Sequence, residues 1–349
     1  MKSDFFVNAF SELGSWMKIA VSGNESGPQV DGQTISDAIR QAGFANGWFD
    51  EKSVLQALEA WSNSLIPEKL TTWLEPYQHK FPVTNSRTTG LILAGNIPMV
   101  GLHDVLTTLV SGHKLLIKCS SDDAVLIPFF LNALAARFPE LSARFSLVSG
   151  VLPKADAYIA TGSDNSARYF EYYFRGKPFL IRKNRSSVAV LDGSESSDDL
   201  WSLGKDIFSY YGLGCRNVSK LLVPDNYSFE KFFEAIVPYG TVMSNHKYAN
   251  NYDYNRAIFL LDGVSFLDNN FLLLRENPGW SSPVSVLNFQ RYNSPSHLSS
   301  LLAGASEKIQ CTVGVSDSLE NKIAFGMAQS PDLWDYADGV DTLDFLSSF

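Results

Sequence analysis

The sequence predicts an α/β protein of two doubly wound α/β domains preceded by a helical lead-in. Three observations predict it. Continuous apolar runs such as "TTGLILAG", "HKLLIKCS" and "ADAYIAT" read as strands buried on both faces. Helical patterns separate them through short links, which is the βαβ grammar of a parallel sheet. The 349 residues, 45% hydrophobic and 19% charged, are too many for one ordinary domain and supply core material for two.

Residues 1–85 read as helical. In "FDEKSVLQALEAWSNSL", Asp50 stands as N-cap before Val54, Leu55, Leu58 and Trp61 at helical spacing. "PEKLTTWLEPY" adds a further turn or two. Residues 86–185 form the first α/β domain. Strand "TTGLILAG" leads into a helix in "NIPMVGLHDVLTTLVSG", with Pro98 near its first position and Gly112 near its end. Strand "HKLLIKCS", helix "DDAVLIPFFLNALAARF", strand "RFSLVSG", strand "ADAYIAT", helix "SDNSARYFEYYFRG" and strand "PFLIRK" follow. Residues 186–349 form the second domain. Its helix "DDLWSLGKDIFSYYG" shows one apolar face in Leu200, Leu203, Ile207 and Tyr211, and Gly212 and Gly214 break it. "NVSKLLVP", "RAIFLLDG" and "SSPVSVLNF" read as strands, and "SNHKYANNYDYN" as a loop rich in Asn and Tyr. No low-complexity linker separates the domains, which implies a shared cleft.

Charge and cysteine usage exclude several functions. Lys plus Arg is 28 against 37 Asp plus Glu, a formal charge of −9, with no basic block for nucleic acid or an anionic membrane. The start has no signal-peptide pattern, and no apolar segment is long enough to span a bilayer. Three cysteines without a CxxC, and five histidines outside metal-ligand spacing, argue against disulfides and zinc. These features predict a cytoplasmic protein without an integral membrane segment or a bound metal.

Four stretches could carry chemistry. Cys215, in "GLGCRN", is either a buried structural thiol or a nucleophile. Its flanking glycines allow close approach to the sulfur, and Arg216 favours the reactive thiolate. Cys119 and Cys311 follow apolar strands without such glycines. Asn96, in "AGNIP", either caps the next helix or offers its amide to an oxyanion. Gly95, Lys118 and Thr161 fall at strand carboxyl ends, where doubly wound sheets bind ligands. Gly162 and Ser163 sit at a strand-to-helix turn whose N–H groups could meet phosphate. His246, in the Asn/Tyr-rich stretch, is either a loop residue or a proton donor. No GxGxxG occurs.

In this order, the pieces resemble the aldehyde dehydrogenase superfamily. "AGNIP" is similar to its Asn-Pro oxyanion motif, "IKCSS" to its Lys-x-Ser ribose site, "TGS" to its phosphate turn and "GLGCRNVSKLLV" to its nucleophile segment. Within it, "NGWFDEKSVLQAL", "AGNIPMVGLHDVL", "SNHKYANNYDYNR" and "LWDYADGVDTLDFL" resemble LuxC-type acyl-CoA reductases, from about residue 45 to the end.

The resemblance implies an aldehyde dehydrogenase-like fold, with a Rossmann-like NADP-binding domain at 86–185 and a catalytic domain at 186–349. It implies Cys215 as nucleophile, Asn96 and the Cys215 N–H as oxyanion donors, and a cofactor site at Gly95, Lys118, Ser120, Ser121, Thr161, Gly162 and Ser163. The expected reaction is NADPH-dependent reduction of a fatty acyl thioester. The acyl would come from CoA, an acyl carrier or an acyl-synthetase protein, and the enzyme could be a homo-oligomer.

Three departures from the superfamily bear on chemistry. "LIRKNRS" stands where hydrolytic members carry a water-activating glutamate, so acyl-enzyme hydrolysis should be slow. Glu276 lies in shifted register relative to the usual ribose-binding glutamate. Ser121 replaces the carboxylate of NAD-preferring members, which favours NADPH, with Asp122 and Asp123 expected at the helix start. The alternatives are aldehyde oxidation with NAD(P) and a catalytically silent scaffold subunit.

Overall fold

Two mainly parallel sheets, one in each of two units, organise the chain. The computed structural model describes residues 3–24, 26–162, 164–315 and 322–349. The first unit comprises 1–183 and 332–349, and the second 184–331.

The first unit opens with helices α1 (Ser3–Val21), α2 (Ile35–Ala45), α3 (Glu51–Ser64) and α4 (Pro67–Leu74). Thr34 and Asp37 form a capping box on α2, and the Asp50 carboxylate accepts from Ser53 N–H at 2.9 Å on α3. Phe10, Leu13 and Met17 on α1 and Val54 and Leu58 on α3 are fully buried in one core. Then come β1 (Thr88–Ile92), α5 (Leu102–Ser111), β2 (Lys114–Lys118), α6 (Leu126–Arg137), β3 (Phe145–Leu147), β4 (Ala157–Thr161), α7 (Asp164–Tyr173) and β5 (Phe179–Arg182). Pro128 sits in the first turn of α6, where its missing N–H costs nothing. Gly112 ends α5 at φ 86, the left-handed conformation that favours glycine.

The strand order is β3-β2-β1-β4-β5, all parallel. The direction of winding reverses between β1 and β4. In open α/β sheets ligands bind outside the carboxyl ends at such a reversal. Leu93–Asn96 leave β1 and Gly162 leaves β4 at that edge.

The second unit contains β6 (Ser186–Val190), α8 (Ser197–Phe208), β7 (Val218–Pro224), α9 (Glu230–Ile236), α10 (His246–Leu261), β8 (Leu267–Asp268), β9 (Leu273–Glu276), β10 (Val286–Tyr292), α11 (Pro295–Ala303) and β11 (Ile309–Val313). Its sheet runs β11-β6-β7-β10-β9-β8, parallel except for the β8–β9 pair. Val188, Val190, Leu222 and Leu298 form one apolar cluster, and Tyr252, Phe259, Leu273 and Val286 another.

Several sequence expectations are corrected. Residues 332–349, expected in the second domain, pack with the first unit and end in α12 (Thr342–Ser347). Polar ties explain why. Trp73 Nε1 donates to Tyr336 Oη at 2.9 Å, His113 Nε2 lies 2.9 Å from Leu346 O, and Arg182 reaches Ala337 O at 2.7 Å and Thr342 Oγ1 at 2.8 Å. Helix α5 starts at Leu102, four residues beyond Pro98, because Met99 takes φ 57 and interrupts any earlier helical turn. Helix α8 ends at Phe208, ahead of the glycines, because Tyr210 and Tyr211 adopt φ 50 and 59. The expected loop at 244–255 and strand "RAIFLLDG" are together helix α10, capped by Asn245. Tyr248, Tyr252, Asn255 and Phe259 line its buried side at helical spacing.

Candidate active site

In the first unit, two loops meet beside the reversal. Beyond β1, Leu93 N–H still donates to Lys118 O at 3.0 Å. Gly95 then presses on the loop after β2. A Cβ there would lie 2.8 Å from Ser120 Cβ and 2.9 Å from Asp123 N, so only glycine fits. Asn96 is exposed at the tip. It stands well ahead of α5, so it does not cap that helix. The left-handed Met99 closes the loop, and its N–H donates to the Asp123 carboxylate at 2.7 Å.

Lys118, the last residue of β2, is half-buried. Ser120 caps the single turn Ser121–Asp123, its Oγ accepting from Asp122 N–H at 3.2 Å. Ser121 and Asp122 are exposed, whereas Asp123 is buried under the Gly95 loop. Both aspartates do stand at this turn, but Asp123 points inward to serve the Met99 backbone. Burial pushes its carboxyl up to about 6, against the downward pull of the Met99 and Leu126 N–H groups. Burial also pushes the neighbouring Cys119 thiol up to about 12, with the Asp123 charge adding to it. Cys119 is half-buried.

Thr161 ends β4, but the Gly162 N–H already donates to Arg182 O at 3.3 Å. That donor is engaged in the sheet, which corrects its expected availability to phosphate. Ser163 lies outside the described residues.

In the second unit, Cys215 is exposed on the turn between α8 and β7. Buried Asn217 holds this turn. Its Oδ1 accepts from Gly214 N–H at 2.8 Å, and its own N–H donates to Gly214 O at 3.0 Å. Its Nδ2 donates to Asp206 O at 3.0 Å, Ile207 O at 3.3 Å and Ser209 O at 2.8 Å. One amide thus satisfies the last carbonyls around the end of α8 and fastens the turn to them. On the other side, Ser187 Oγ donates to Cys215 O at 3.0 Å and lies 3.0 Å from Cys311 Sγ.

Arg216 was expected to steady a thiolate. Its Nη1 instead donates to Ala328 O at 3.4 Å. The segment it meets is held by Asp206, which accepts from Gly326 N–H at 2.6 Å and Ala328 N–H at 3.0 Å. Burial pushes the Asp206 carboxyl up to about 6.

His246 stands exposed at the first position of α10, in a helix and not in a loop. Glu276 is exposed at the end of β9. The loop after it is tied down by residues the sequence reading missed. Ser186 Oγ and Ser219 Oγ each donate to Trp280 O at 2.8 Å. Lys220, fully buried, donates to Pro278 O at 2.8 Å and Gln290 Oε1 at 2.7 Å, with Nζ 4.3 Å from the Trp280 ring centroid. Burial brings its pKa down to about 8. A lone lysine inside the apolar run "SKLLV" was the available signal. Among the described residues, no group of three His, Cys, Asp or Glu side chains could hold a metal ion, and no helix is long and apolar enough to cross a membrane.

Residues 68–237 match the family model of the acyl-CoA reductases (LuxC). The match covers 170 of the 349 residues, just under half of the chain. The matched span includes Asn96, the Lys118–Asp123 turn and Cys215. An acyl-CoA reductase is an oxidoreductase, and reduction of an acyl group to the aldehyde is its general reaction.

Solved structures agree on an aldehyde dehydrogenase fold. An NAD-dependent aldehyde dehydrogenase from Sinorhizobium meliloti superposes with TM-score 0.63 at 12% identity, over 92% of this chain and 72% of that one. An aldehyde dehydrogenase from Bartonella henselae gives 0.63 at 13%, over 91% and 75%. A mutant aldehyde dehydrogenase C from Pseudomonas syringae, solved with NAD+ and octanal, gives 0.62 at 9%, over 91% and 73%. Comparison with curated protein sequences gives no match. At these identities the structural likeness speaks for the fold, and the LuxC match for the reaction class.

Proposed function

We propose that the protein reduces a fatty acyl thioester to the aldehyde through an acyl-enzyme on Cys215, with NADPH as reductant. The contrast between two thiols carries this reading. Cys215 is exposed on a turn fixed from both sides, whereas burial holds Cys119 protonated up to about 12. Only a thiolate that substrate can reach is a useful nucleophile.

The Cys215 sulfur attacks the thioester carbonyl carbon. A new carbon–sulfur bond forms, the old one breaks, and the first thiol leaves with a proton. NADPH, when bound, supplies the hydride that takes the acyl carbon to the aldehyde level. Collapse of the thiohemiacetal frees the aldehyde and returns the thiolate. The Asn96 amide and the Cys215 N–H are the oxyanion donors, and His246 is the candidate proton donor.

The residues around Lys118 suit the adenosine end of NADPH. A half-buried cation and the exposed Ser121 hydroxyl flank the strand end, with no carboxylate at residue 121 to repel a 2′-phosphate. The acyl donor is CoA or an acyl-carrying protein. In "LIRKNRS" the only charged side chains are cationic, so that stretch offers no base to activate water and the acyl-enzyme should persist without cofactor.

The test is intact mass after mixing with acyl-CoA in the absence of NADPH. Parent protein should gain one acyl group, which NADPH then removes as aldehyde, and Cys215→Ala should gain none. An unchanged adduct or turnover in Cys215→Ala would end the proposal.

A further inference from the structure

We propose that Asn217 is a positioning residue that aims the Cys215 peptide N–H and thiol for acyl transfer. This rests on the reading of Cys215 as the nucleophile. Asn217 and Gly214 are joined by two hydrogen bonds, Gly214 N–H to Asn217 Oδ1 at 2.8 Å and Asn217 N–H to Gly214 O at 3.0 Å. In a trans peptide, C=O and N–H point to opposite sides of one plane. Drawing Gly214 O toward Asn217 therefore turns the Cys215 N–H, in the same peptide unit, away from Asn217. The next peptide plane is fixed independently, because Ser187 Oγ donates to Cys215 O at 3.0 Å. Of the two planes flanking the Cys215 Cα, one is thus held by the Asn217 backbone N–H and the other by the Ser187 side chain, while Asn217 Oδ1 fixes the Gly214 N–H one plane earlier.

The anchor is itself rigid. Asn217 is 2% exposed, and its Nδ2 is spread over the carbonyls of Asp206, Ile207 and Ser209. Those carbonyls leave the end of α8, just before the left-handed Tyr210 and Tyr211. A chain reversal with side chains larger than glycine at positive φ persists only where its surroundings over-determine it. Asn217 supplies that constraint, and the same amide group sets the nucleophile turn. A displacement of about 1 Å at a reacting group can cost on the order of 100-fold in rate.

The experiment uses the full chain and compares Asn217→Ala and Ser187→Ala with the parent. Ser187→Ala removes a single oxygen and one tie, and it keeps the question open if Asn217→Ala folds poorly. Folded nucleophile is counted first, by alkylation of Cys215 followed by peptide mass analysis. The rate constant for acyl adduct formation from acyl-CoA without cofactor is then measured per alkylatable Cys215, together with the NADPH dissociation constant. The expected result is an acylation rate lower by about 10- to 100-fold in Asn217→Ala, by a smaller factor in Ser187→Ala, and NADPH binding within about twofold of the parent. A purely structural role would lower the melting temperature and the folded fraction and leave the rate per folded nucleophile intact. That outcome in both variants would overturn the proposal. Cys215→Ala, run alongside, separates the two ideas. If it still forms adduct, the nucleophile assignment has failed; if it is inert while both clamp variants acylate at the parent rate, only the positioning role has failed.

Discussion

Gly95→Ala should disable the Asn96 loop by steric contact alone. The new Cβ would stand 2.8 Å from Ser120 Cβ, 2.9 Å from Ser120 Oγ and 2.9 Å from Asp123 N. Ordinary carbon contacts begin at about 3.5 Å, so something must yield by roughly 0.6 Å or more. The serine side chain has some freedom, but Asp123 N is backbone, tied to Ser120 O at 3.2 Å in the same turn. The loop carrying Asn96 is therefore the part that moves, and it moves against the 2.7 Å bond from Met99 N–H to Asp123. Overpacking of this kind costs about 1–3 kcal/mol. A donor misplaced by a good part of an ångström should lose about 10- to 100-fold in turnover. The assay is NADPH consumption with acyl-CoA, alongside a thermal melt. Turnover should fall well beyond what the unfolded fraction explains, and Gly95→Ala with Ser120→Gly should recover part of it. A Gly95→Ala enzyme with parental rate and melting temperature would show that the loop is not seated in this way.

Asp206→Asn should change how stability depends on pH. Burial raises the Asp206 pKa to about 6 in the fold, above the ordinary aspartate value of 3.8. A raised folded pKa means that its contribution is full below 3.8 and is lost as pH rises through about 6. Relative to the parent, Asp206→Asn should therefore gain up to roughly 3 kcal/mol between pH 4 and pH 7; denaturant titrations showing a pH-independent difference would refute this. Arg182→Met should destabilise the first unit by about 3–5 kcal/mol, because it strands the buried Asp104 carboxylate 2.7 Å away and frees Ala337 O and Thr342. Limited proteolysis should then cut within 332–349 first, and parental resistance there would contradict the tie. Ser121→Glu should shift preference from NADPH toward NADH by tenfold or more, since a tenfold change needs only about 1.4 kcal/mol. Unchanged ratios of kcat/KM for the two cofactors would remove Ser121 from the ribose site.

The sheets were legible because burial on both faces writes itself into sequence as unbroken apolar runs, as at Leu91 and Ile117. Helix α10 was misread because its buried side is Tyr248, Tyr252, Asn255 and Phe259, three of them bearing polar atoms. The run "AIFLL" then looked like a strand, although Leu260 and Leu261 are exposed. Counting tyrosine as an apolar anchor would have restored the helical period. The start of α5 was misplaced because a left-handed Met99 has no sequence signature of its own. At the candidate site, the exposed groups were found by their motif setting. The groups that hold them, Asp123, Asn217, Asp206 and Lys220, were not. In a sequence, a buried polar residue looks like any surface one until its partners are known.

Those hidden groups follow one physical logic. A loop at a strand or helix end that offers backbone to a ligand can bury large side chains, as Met99, Tyr210 and Tyr211 are buried here, but apolar packing alone does not aim its peptides. Non-directional burial would in any case leave its peptide planes free to rotate. A buried hydrogen bond sets direction, and breaking it strands a polar group at a cost of about 1–3 kcal/mol. Asp123 on the Met99 N–H and Asn217 on the Gly214 N–H are two instances, one in each unit. In both, the clamp seizes a peptide within three residues of the exposed group, Asn96 or Cys215, and lies beside non-glycine residues held at positive φ. The local strain and the buried polar partner come as a pair, because neither conformation would persist without the other. At these two turns the pairing gives the backbone beside Asn96 and Cys215 a fixed direction.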